Sequence, residues 1–410
     1  MNMDTPYLTR EPIMTSQKVL IGYDLRVHLA GLAEDSESDE IARTYGLVTN
    51  AFYGIGIESA VGSCFGFVNV DRKLLFDELI EALPFDDVVL RLSEIKPERD
   101  VLFRVRDLRD KGYSFAMADY RGNAYYLEPL LDQMAIIQVD VSKATSPFLE
   151  SLAVDVRRPG IRLMAEQVQT TELFERAQAH GFDLFEGYHF LADSAAKAAS
   201  RSVDVAALLR MLKLLKDDAD SAAIVEQLKR LPDLSVATLR AANASSNALM
   251  RRTIASLPDA LAMLGRDRLV RLVQILVFAG ESSEFGHNPL LQLAVARAKL
   301  LEDLAGSDPT STVVERRSAF VVGLLSLIER VLGWPLREIL DELNYGTPLR
   351  EALLHREGKL GVLLELAEKM ERGDDAGVAT ILTEVPGFCA EELIKIQLGT
   401  LAWLKQSGVS

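Results

Sequence analysis

Two acidic side chains each follow a short apolar run in the stretch LMAEQVQTTELFERAQAHGFDLFEGYHF, residues 163–190. Glu166 comes directly after the first run, and Glu186 directly after the second. Both runs predict strands, and α/β barrels keep their chemistry at the carboxyl ends of their strands. The sequence therefore predicts that both carboxylates lie at that end, on the face where such barrels carry their functional groups.

The residues between the two runs predict a helix that connects parallel strands. Thr170 or Thr171 is a candidate N-cap, and acidic residues follow in the first turn, near the positive end of the helix. The helix is expected to end near His180, because Gly181 stands where a glycine commonly terminates a helix. A strand, a helix and a strand in this order predict a β-α-β unit with a right-handed crossover.

The rest of the first half also alternates strand and helix patterns. This alternation, over roughly 190 residues, favours a (β/α)8-type barrel with parallel strands over an open sheet. The residues before Lys18 are interpreted as a polar leader, the acidic run 33–40 as a solvated loop, and the residues from there to Ala51 as a helix. The further predicted strands are Lys18–Leu29, Cys64–Val70, Asp87–Leu92, Tyr113–Ala118 and Ile136–Val141.

From Ala192 the sequence changes character. The segment ADSAAKAASRS is small and polar, as in linkers between domains. Beyond it, apolar residues recur with helical spacing and turn signals separate the helical segments. The sequence therefore predicts two domains, a barrel over residues 1–195 and an all-helical domain over residues 205–410, joined by a linker over residues 196–204.

Composition restricts the classes of function. The chain has 410 residues, 49% of them apolar, and a formal net charge of −15. That charge opposes binding to a phosphate backbone, so we expect no nucleic-acid partner. No apolar run is long enough to span a membrane and the N-terminus has no secretion pattern, so we expect no membrane association and a cytoplasmic location. Cys64 and Cys389 are the only cysteines, which fits a reducing compartment.

The first half resembles the EAL family of cyclic di-GMP phosphodiesterases in the segments MAEQVQT and FEGYHF, residues 164–170 and 185–190. The second half resembles the HDOD family in LPDLSVATLRAANASSNALMRRTIASLPDALAMLGRDRLVRLV, residues 231–273. FVVGLLSLIERVLGWPLREIL, residues 320–340, is similar to the segment that follows in proteins with both domains. The order of the two matches makes the resemblance specific. It implies a bacterial regulator of behaviour linked to cyclic di-GMP.

The resemblance to EAL enzymes also implies a site with two divalent metals held by carboxylates at the strand ends. Asp24 stands where the family motif has a glutamate, one methylene longer. Asn69, Asp140 and Glu166 match the family's residues. Part of the implied ligand set is therefore present.

Other positions depart from the family pattern. Arg91 replaces a glutamate and places a cation where a metal cation should bind. Because each of the remaining replacements removes ligand charge or adds repulsion, we expect no enzymatic activity and no cofactor. These replacements are Ala118 for the first of two aspartates (the second, Asp119, remains), Gln138 for a lysine, Gln169 for a glutamate, Glu186 for a glutamine and His28 for an arginine.

The helical half gives the same expectation. In GLLSLIE, where the His-Asp metal pair of HD hydrolases is sought, the chain has Ser326 and Leu327. The expected function is therefore non-catalytic signalling through contact with other signalling proteins. One alternative is a sensor that binds cyclic di-GMP without hydrolysing it. The other is an enzyme in which one metal is held by Asp24, Asp119, Glu166 and Glu186.

Six polar residues are candidates for a residual pocket at the barrel mouth: Asp24, Asn69, Asp119, Asp140, Glu166 and Glu186. The competing interpretation is that they cap helices or pair with Arg91. The sequence indicates neither the protein partner nor the oligomeric state.

Overall fold

The first half folds into a closed barrel of eight strands in sequential order. The computed structural model describes residues 5–30, 57–93, 95–122, 124–156, 158–191, 202–217, 219–245, 254, 256–279, 288–332, 334–343, 345–384 and 390–406. The predicted fold class, a (β/α)8-type barrel followed by a helical region, is confirmed. The strands are β1 (Thr5–Thr15), β2 (Leu20–Ala30), β3 (Phe65–Val70), β4 (Val88–Leu92), β5 (Ser114–Met117), β6 (Ile136–Asp140), β7 (Arg162–Glu166) and β8 (Leu184–Glu186).

The expectation that all strands are parallel is wrong for β1, which runs antiparallel to both β2 and β8. The interpretation of the N-terminal residues as a polar leader is wrong for the same strand. A short turn joins β1 to β2, with Lys18 at a φ of 62°, so the two strands form a hairpin. Arg10 and Glu11 interrupt the apolar pattern of β1 and hide it in the sequence.

Short helices connect the parallel strands. The predicted β-α-β unit is confirmed, since β7 and β8 are parallel and the helix Thr171–Ala179 lies between them. Thr170 is the N-cap, its side chain accepting the Leu173 N–H, and Gly181 follows the helix at a φ of 81°. The helices of this half are α1 (Ile57–Val61), α2 (Arg72–Leu75), α3 (Arg99–Asp110), α4 (Ala124–Leu131), α5 (Ser146–Asp155) and α6 (Thr171–Ala179), with a 3-10 helix at Glu78–Ala82.

A layer of apolar side chains fills the centre of the barrel. Because side chains alternate between the two faces of a strand, every second residue points inward. The residue two positions further along each parallel strand therefore also points inward, into the next layer toward the carboxyl end. The central layer consists of Ile13, Phe67, Val89, Ala116, Ile136, Met164 and Leu184.

The described part of the second half is helical. The helical element Leu257–Ala279 has a kink at Gly265, whose φ is 74°. The helices Thr347–His355 and Gly358–Glu371 are separated at Arg356, which is in the left-handed conformation. The helices are α7 (Ser202–Lys216), α8 (Ser221–Lys229), α9 (Pro232–Ser245), α10 (Leu257–Ala279), α11 (Pro289–Ser307), α12 (Val313–Leu325), α13 (Ile328–Leu332), α14 (Leu336–Glu342), α15 (Thr347–His355), α16 (Gly358–Glu371), α17 (Asp375–Glu384) and α18 (Ala390–Gln406).

The boundaries of the two predicted domains stay a prediction. Residues 192–201, most of the proposed linker, lie outside the described residues, as do the acidic run 33–40 and the helix predicted up to Ala51. Residues 202–204, assigned to the linker from their small and polar neighbours, begin helix α7. No helix in the described ranges is long and apolar enough to cross a membrane.

The helical half packs against β1 of the barrel through buried polar contacts as well as apolar ones. Gln397 on α18 accepts the Leu8 N–H at 2.8 Å and donates to the Leu8 carbonyl at 2.9 Å. On α17, Asp375 accepts a hydrogen bond of 2.6 Å from the Tyr7 hydroxyl. The second half thus supplies the hydrogen-bond partners of the Leu8 backbone groups and of the Tyr7 hydroxyl on β1.

Candidate functional site at the barrel mouth

Four charged side chains converge at the carboxyl end of the barrel. Arg91, Glu166 and Glu186 each lie two residues after a member of the central apolar layer, so the alternation of β4, β7 and β8 turns them inward. Asp24 reaches the same level from β2. Their exposed fractions run from 0% for Asp24 and Glu186 to 9% for Glu166.

Arg91 forms ion pairs with all three carboxylates. Its Nη2 lies 3.1 Å from Asp24 Oδ1, and its Nη1 lies 3.5 Å from Glu166 Oε1 and 3.7 Å from Glu186 Oε2. Its Nε donates to Asn69 Oδ1 on the neighbouring strand. A guanidinium presents donors in a fixed plane, so one arginine can hold groups from several strands. Arg91 is thus the common partner of this cluster.

Arg26 binds the same carboxylates from the outer side. Its guanidinium donates to Asp24 Oδ2, and its Nη2 lies 3.0 Å from Glu186 Oε1. The Arg26 side chain is 36% exposed, whereas that of Arg91 is 4% exposed. Of the two guanidiniums, Arg26 is therefore the one a ligand can reach.

The acidic groups of the site have pKa values moved in opposite directions. Burial raises the pKa of Glu186 well above its usual range, and the negative charges of Asp24, Glu11 and Glu166 add to that rise. Burial also opposes ionisation of Asp24, but Arg91 and Arg26 outweigh it and lower the pKa of that carboxyl. Neighbouring carboxyl groups with separated pKa values are the arrangement that acid and base pairs use. Asp24 and Glu186, which share Arg91 as a partner, thus have pKa values moved in opposite directions.

Two predicted pocket residues are not brought into the cluster. Asp119 is half exposed and pairs with Arg121. Asp140 accepts a hydrogen bond from Ser142 N–H at 3.0 Å and pairs with Lys143 at 2.9 Å. Each satisfies its charge within its own loop. Of the six predicted residues, the structure therefore brings together Asp24, Asn69, Glu166 and Glu186 around Arg91.

The other positions that depart from the EAL pattern lie near the same end. Gln138 is fully buried, with Nε2 3.9 Å from the sulfur of Met164. Ala118 donates its N–H to the Leu92 carbonyl and adds no polar side chain. Gln169 is exposed, and its Nε2 donates to Glu11 Oε1 at 2.8 Å.

Sequence reasoning missed Glu11 and Arg26. Glu11 faces Asp24 directly across the β1–β2 pair, and burial raises its pKa. Arg26 lies two residues after Asp24 on the same strand and hence on the same face. That spacing was a usable signal for Arg26. Glu11 had none, because it was placed in a leader rather than in a strand.

A divalent metal does not fit this arrangement of side chains. Oxygen atoms of Glu11, Asp24 and Glu186 lie within 4.8 Å of one another, which is the spacing of a possible cation site. Arg91 and Arg26 however lie against oxygens of both buried carboxylates at ion-pair distances. A metal ion there would meet two fixed positive charges. The expected conflict between Arg91 and a metal cation is therefore visible in the geometry.

A cavity of about 530 Å³ opens beside the cluster. On the barrel side it is lined by Thr9, Glu11, Arg26 and His28. Ligand sites for small molecules have volumes of roughly 300–1,000 Å³. The accessible guanidinium of Arg26 and the carboxyl of Glu11 thus share a space of ligand size.

No family model matches the chain. A search of curated proteins gives a cyclic di-GMP phosphodiesterase, CdgJ of Vibrio cholerae serotype O1, with 28% identity over 98% of this chain and 93% of that protein. This chain is related to EAL-containing signalling proteins. A second relative, the uncharacterized protein YuxH of Bacillus subtilis, is 27% identical over 89% of this chain and 90% of its own length.

Solved structures are more distant from this EAL-related chain. One described as the PaMucR phosphodiesterase in a c-di-GMP complex is 16% identical, covering 45% of this chain and 94% of its own, with a TM-score of 0.37. Similarity at that level carries no argument about function.

The expectation that the chain is not an enzyme, based on Arg91, Ala118, Gln138 and Gln169, needs correction. The relative that matches over nearly its whole length is named as a phosphodiesterase, which points to an enzyme. The replaced metal ligands argue against a two-metal mechanism of phosphodiester hydrolysis. They do not exclude hydrolysis by another mechanism.

The HDOD part of the resemblance stays a prediction. Ser326, at the position where a metal-binding His was sought, donates to the Gly323 carbonyl and accepts from Arg297. Leu327 is buried in the apolar core of the helical half. Both residues have structural contacts of their own.

Proposed function

We propose that this chain acts in cyclic di-GMP signalling as a phosphodiesterase and that the cavity at the barrel mouth holds the nucleotide. The cavity, with a reachable guanidinium and a carboxyl of raised pKa on the same wall, carries the proposal. The full-length similarity to a protein named as a cyclic di-GMP phosphodiesterase supports the choice of substrate.

Arg26 is the proposed contact to the phosphate. Guanidinium groups bind phosphate oxygens through two parallel hydrogen bonds and stay charged at any physiological pH. The carboxylates of Asp24 and Glu186 fix this guanidinium from behind, which reduces the entropy lost on binding. Arg91, deeper in the barrel, holds these carboxylates in position.

Glu11 is the proposed general base. In hydrolysis the oxygen of water bonds to phosphorus while one P–O ester bond breaks. The base takes a proton from that water and then gives it to the leaving oxygen. A base is most efficient when its pKa lies near the working pH, and burial raises the pKa of Glu11 in that direction. The hydrogen bond from Gln169 orients this carboxyl.

The test is hydrolysis of cyclic di-GMP by the purified full chain, with linear dinucleotide separated by chromatography. Glu11→Gln keeps the shape and removes the base, so the rate should fall at least about a hundredfold. Glu175→Gln, the same change at an exposed position of α6, should leave the rate unchanged. Absence of product above the buffer rate, with or without magnesium or manganese, overturns the proposal. If product forms only with added metal, the proposed phosphodiesterase activity stands, but the metal-free roles of Arg26 and Glu11 are overturned.

We further propose that the helical half contacts other signalling proteins in a cytoplasmic setting, as the resemblance implies. Recovery of a specific protein by the full chain, and its loss when residues 205–410 are removed, would support this role.

A further inference from the structure

The cavity at the barrel mouth is closed on one side by the helical half. Besides the barrel residues, its lining includes Glu371, Arg372 and Gly373, the turn that follows helix α16. Arg297 on α11 also lines it. The space beside Arg26 and Glu11 is therefore shared by both halves of the chain.

This turn lies directly against a barrel residue, His28. Gly373 has a φ of 66°, and a Cβ added there would lie 2.8 Å from His28 Cε1. The Nδ1 of His28 lies 3.3 Å from Asp375 Oδ1, and its ring stacks on Tyr7 with centroids 5.0 Å apart. The positive φ and this close approach both favour glycine at the position.

A buried network fixes the start of the turn. Arg297, 6% exposed, donates from Nε to Glu371 Oε1 at 2.8 Å. The Tyr188 hydroxyl lies within hydrogen-bond distance of the Glu371 carbonyl and the Arg10 carbonyl, at 3.4 and 3.2 Å. Tyr188 follows strand β8 and is itself part of the cavity lining. The turn is thus held from the barrel side and from the helical side.

Arg372 is the exposed cation of this wall. Its neighbours in the turn have partners, but in the described part of the chain the Arg372 guanidinium has no ion pair within 4 Å. On the barrel side of the same cavity, Arg26 supplies a second guanidinium. A cyclic dinucleotide carries two phosphates, and two cations that line one cavity match that charge.

We propose that residues 371–373 form a wall of the nucleotide site and that Arg372 binds a phosphate of the ligand that Arg26 also contacts. This inference rests on the proposed function. It makes the helical half part of the site, so nucleotide binding stabilises the packing of the two halves. By linkage, a partner protein that loosens that packing weakens nucleotide binding. The factor by which it lowers the affinity for the nucleotide equals the factor by which the nucleotide lowers the affinity for the partner.

The test is calorimetric titration of the full chain with cyclic di-GMP. Arg372→Ala should weaken binding at least about tenfold, which corresponds to about 1.4 kcal/mol, because a charge-assisted hydrogen bond to the phosphate is lost. Arg372→Lys should retain part of the affinity. Arg230→Ala is the matched control, since Arg230 is also an exposed arginine that caps the end of a helix in the same backbone conformation. It should bind like the unmodified chain.

Amide hydrogen exchange gives a second readout, independent of affinity. Saturation with cyclic di-GMP should slow exchange in residues 371–375 but not around Arg230. Binding by the unmodified chain that Arg372→Ala leaves unchanged overturns this inference alone. Absence of both binding and hydrolysis in the unmodified chain overturns the proposed function, and this inference with it.

Discussion

The guanidinium of Arg91 reaches across the barrel to Asp24, with Nη2 3.1 Å from Oδ1. The two residues lie on β4 and β2, and neither side chain is more than 4% exposed. An arginine therefore occupies the position between strand-end carboxylates where EAL enzymes are expected to hold metal. The folded barrel depends on that positive charge, because three acidic groups converge on it.

Replacement of Arg91 should destabilise the protein strongly. Arg91→Ala leaves buried carboxylates without their common partner, which typically costs about 3–5 kcal/mol of unfolding free energy. Urea denaturation of the full chain measures the change. Arg99→Ala, at an exposed position at the start of α3, should change the stability by less than about 0.5 kcal/mol. Equal effects of the two substitutions would show that the Arg91 ion pairs contribute little.

Glu186 should make stability decrease as pH rises. Burial and neighbouring carboxylates raise the pKa of Glu186 well above its ordinary value of 4.5, so the folded state binds a proton that the unfolded state has lost. Stability from this group is fully present below pH 4.5 and is lost as pH rises through the raised folded value.

Glu186→Gln removes that titration and should flatten the decrease in unfolding free energy between acidic and neutral pH. Denaturation at a series of pH values measures the slope. Glu175→Gln, at an exposed site, should keep the slope of the unmodified chain. A slope that Glu186→Gln does not reduce would show that the carboxyl is ionised in the folded protein.

The parts of the fold that sequence reasoning predicted are those whose strands begin with consecutive apolar residues. β4 and β6 each begin with two β-branched residues and are buried through most of their length, so a single polar residue inside each does not hide the strand. β1 was missed because Arg10 and Glu11 interrupt it. Those charges are tolerated because Glu11 points to the barrel mouth and Arg10 stacks on Tyr23, 3.9 Å from the ring centroid. Both contacts are made with residues distant in the sequence, so the local sequence pattern of β1 does not predict them.

The site was predictable only in part for the same reason. Glu186 and Glu166 were placed at strand ends because each follows its apolar run directly. Arg26 acquires its role from Glu186, 160 residues away, and that pairing exists only once the barrel closes. Asp119 and Asp140 lie at strand ends as well, but a local arginine and a local lysine draw them away from the centre. Strand-end position therefore predicts proximity to the site without predicting the partner.

Gly187 should tolerate no side chain. It follows Glu186 at a φ of 136°, and an added Cβ would lie 2.4 Å from the Val168 carbonyl oxygen. Gly187→Ala should therefore cost more than about 2 kcal/mol through clash and backbone strain. Gly399→Ala is the control, because Gly399 lies inside α18 with open space around the added carbon. There alanine should stabilise the helix by up to about 1 kcal/mol. The same sign for both substitutions, measured by urea denaturation, would contradict the geometry at Gly187.

Gln397 should be the polar link on which packing of the helical half against β1 depends. Gln397→Ala leaves the N–H and carbonyl of buried Leu8 without their partner, and each unsatisfied buried group costs about 1–3 kcal/mol. Unfolding free energy should fall by about 3 kcal/mol, and amide exchange at Leu8 should become faster. Gln178→Ala, at an exposed position of α6, should change neither quantity. If the Leu8 amide kept its protection in Gln397→Ala, backbone pairing with β2 would be sufficient to hold β1, and the contact with the helical half would be dispensable to the barrel.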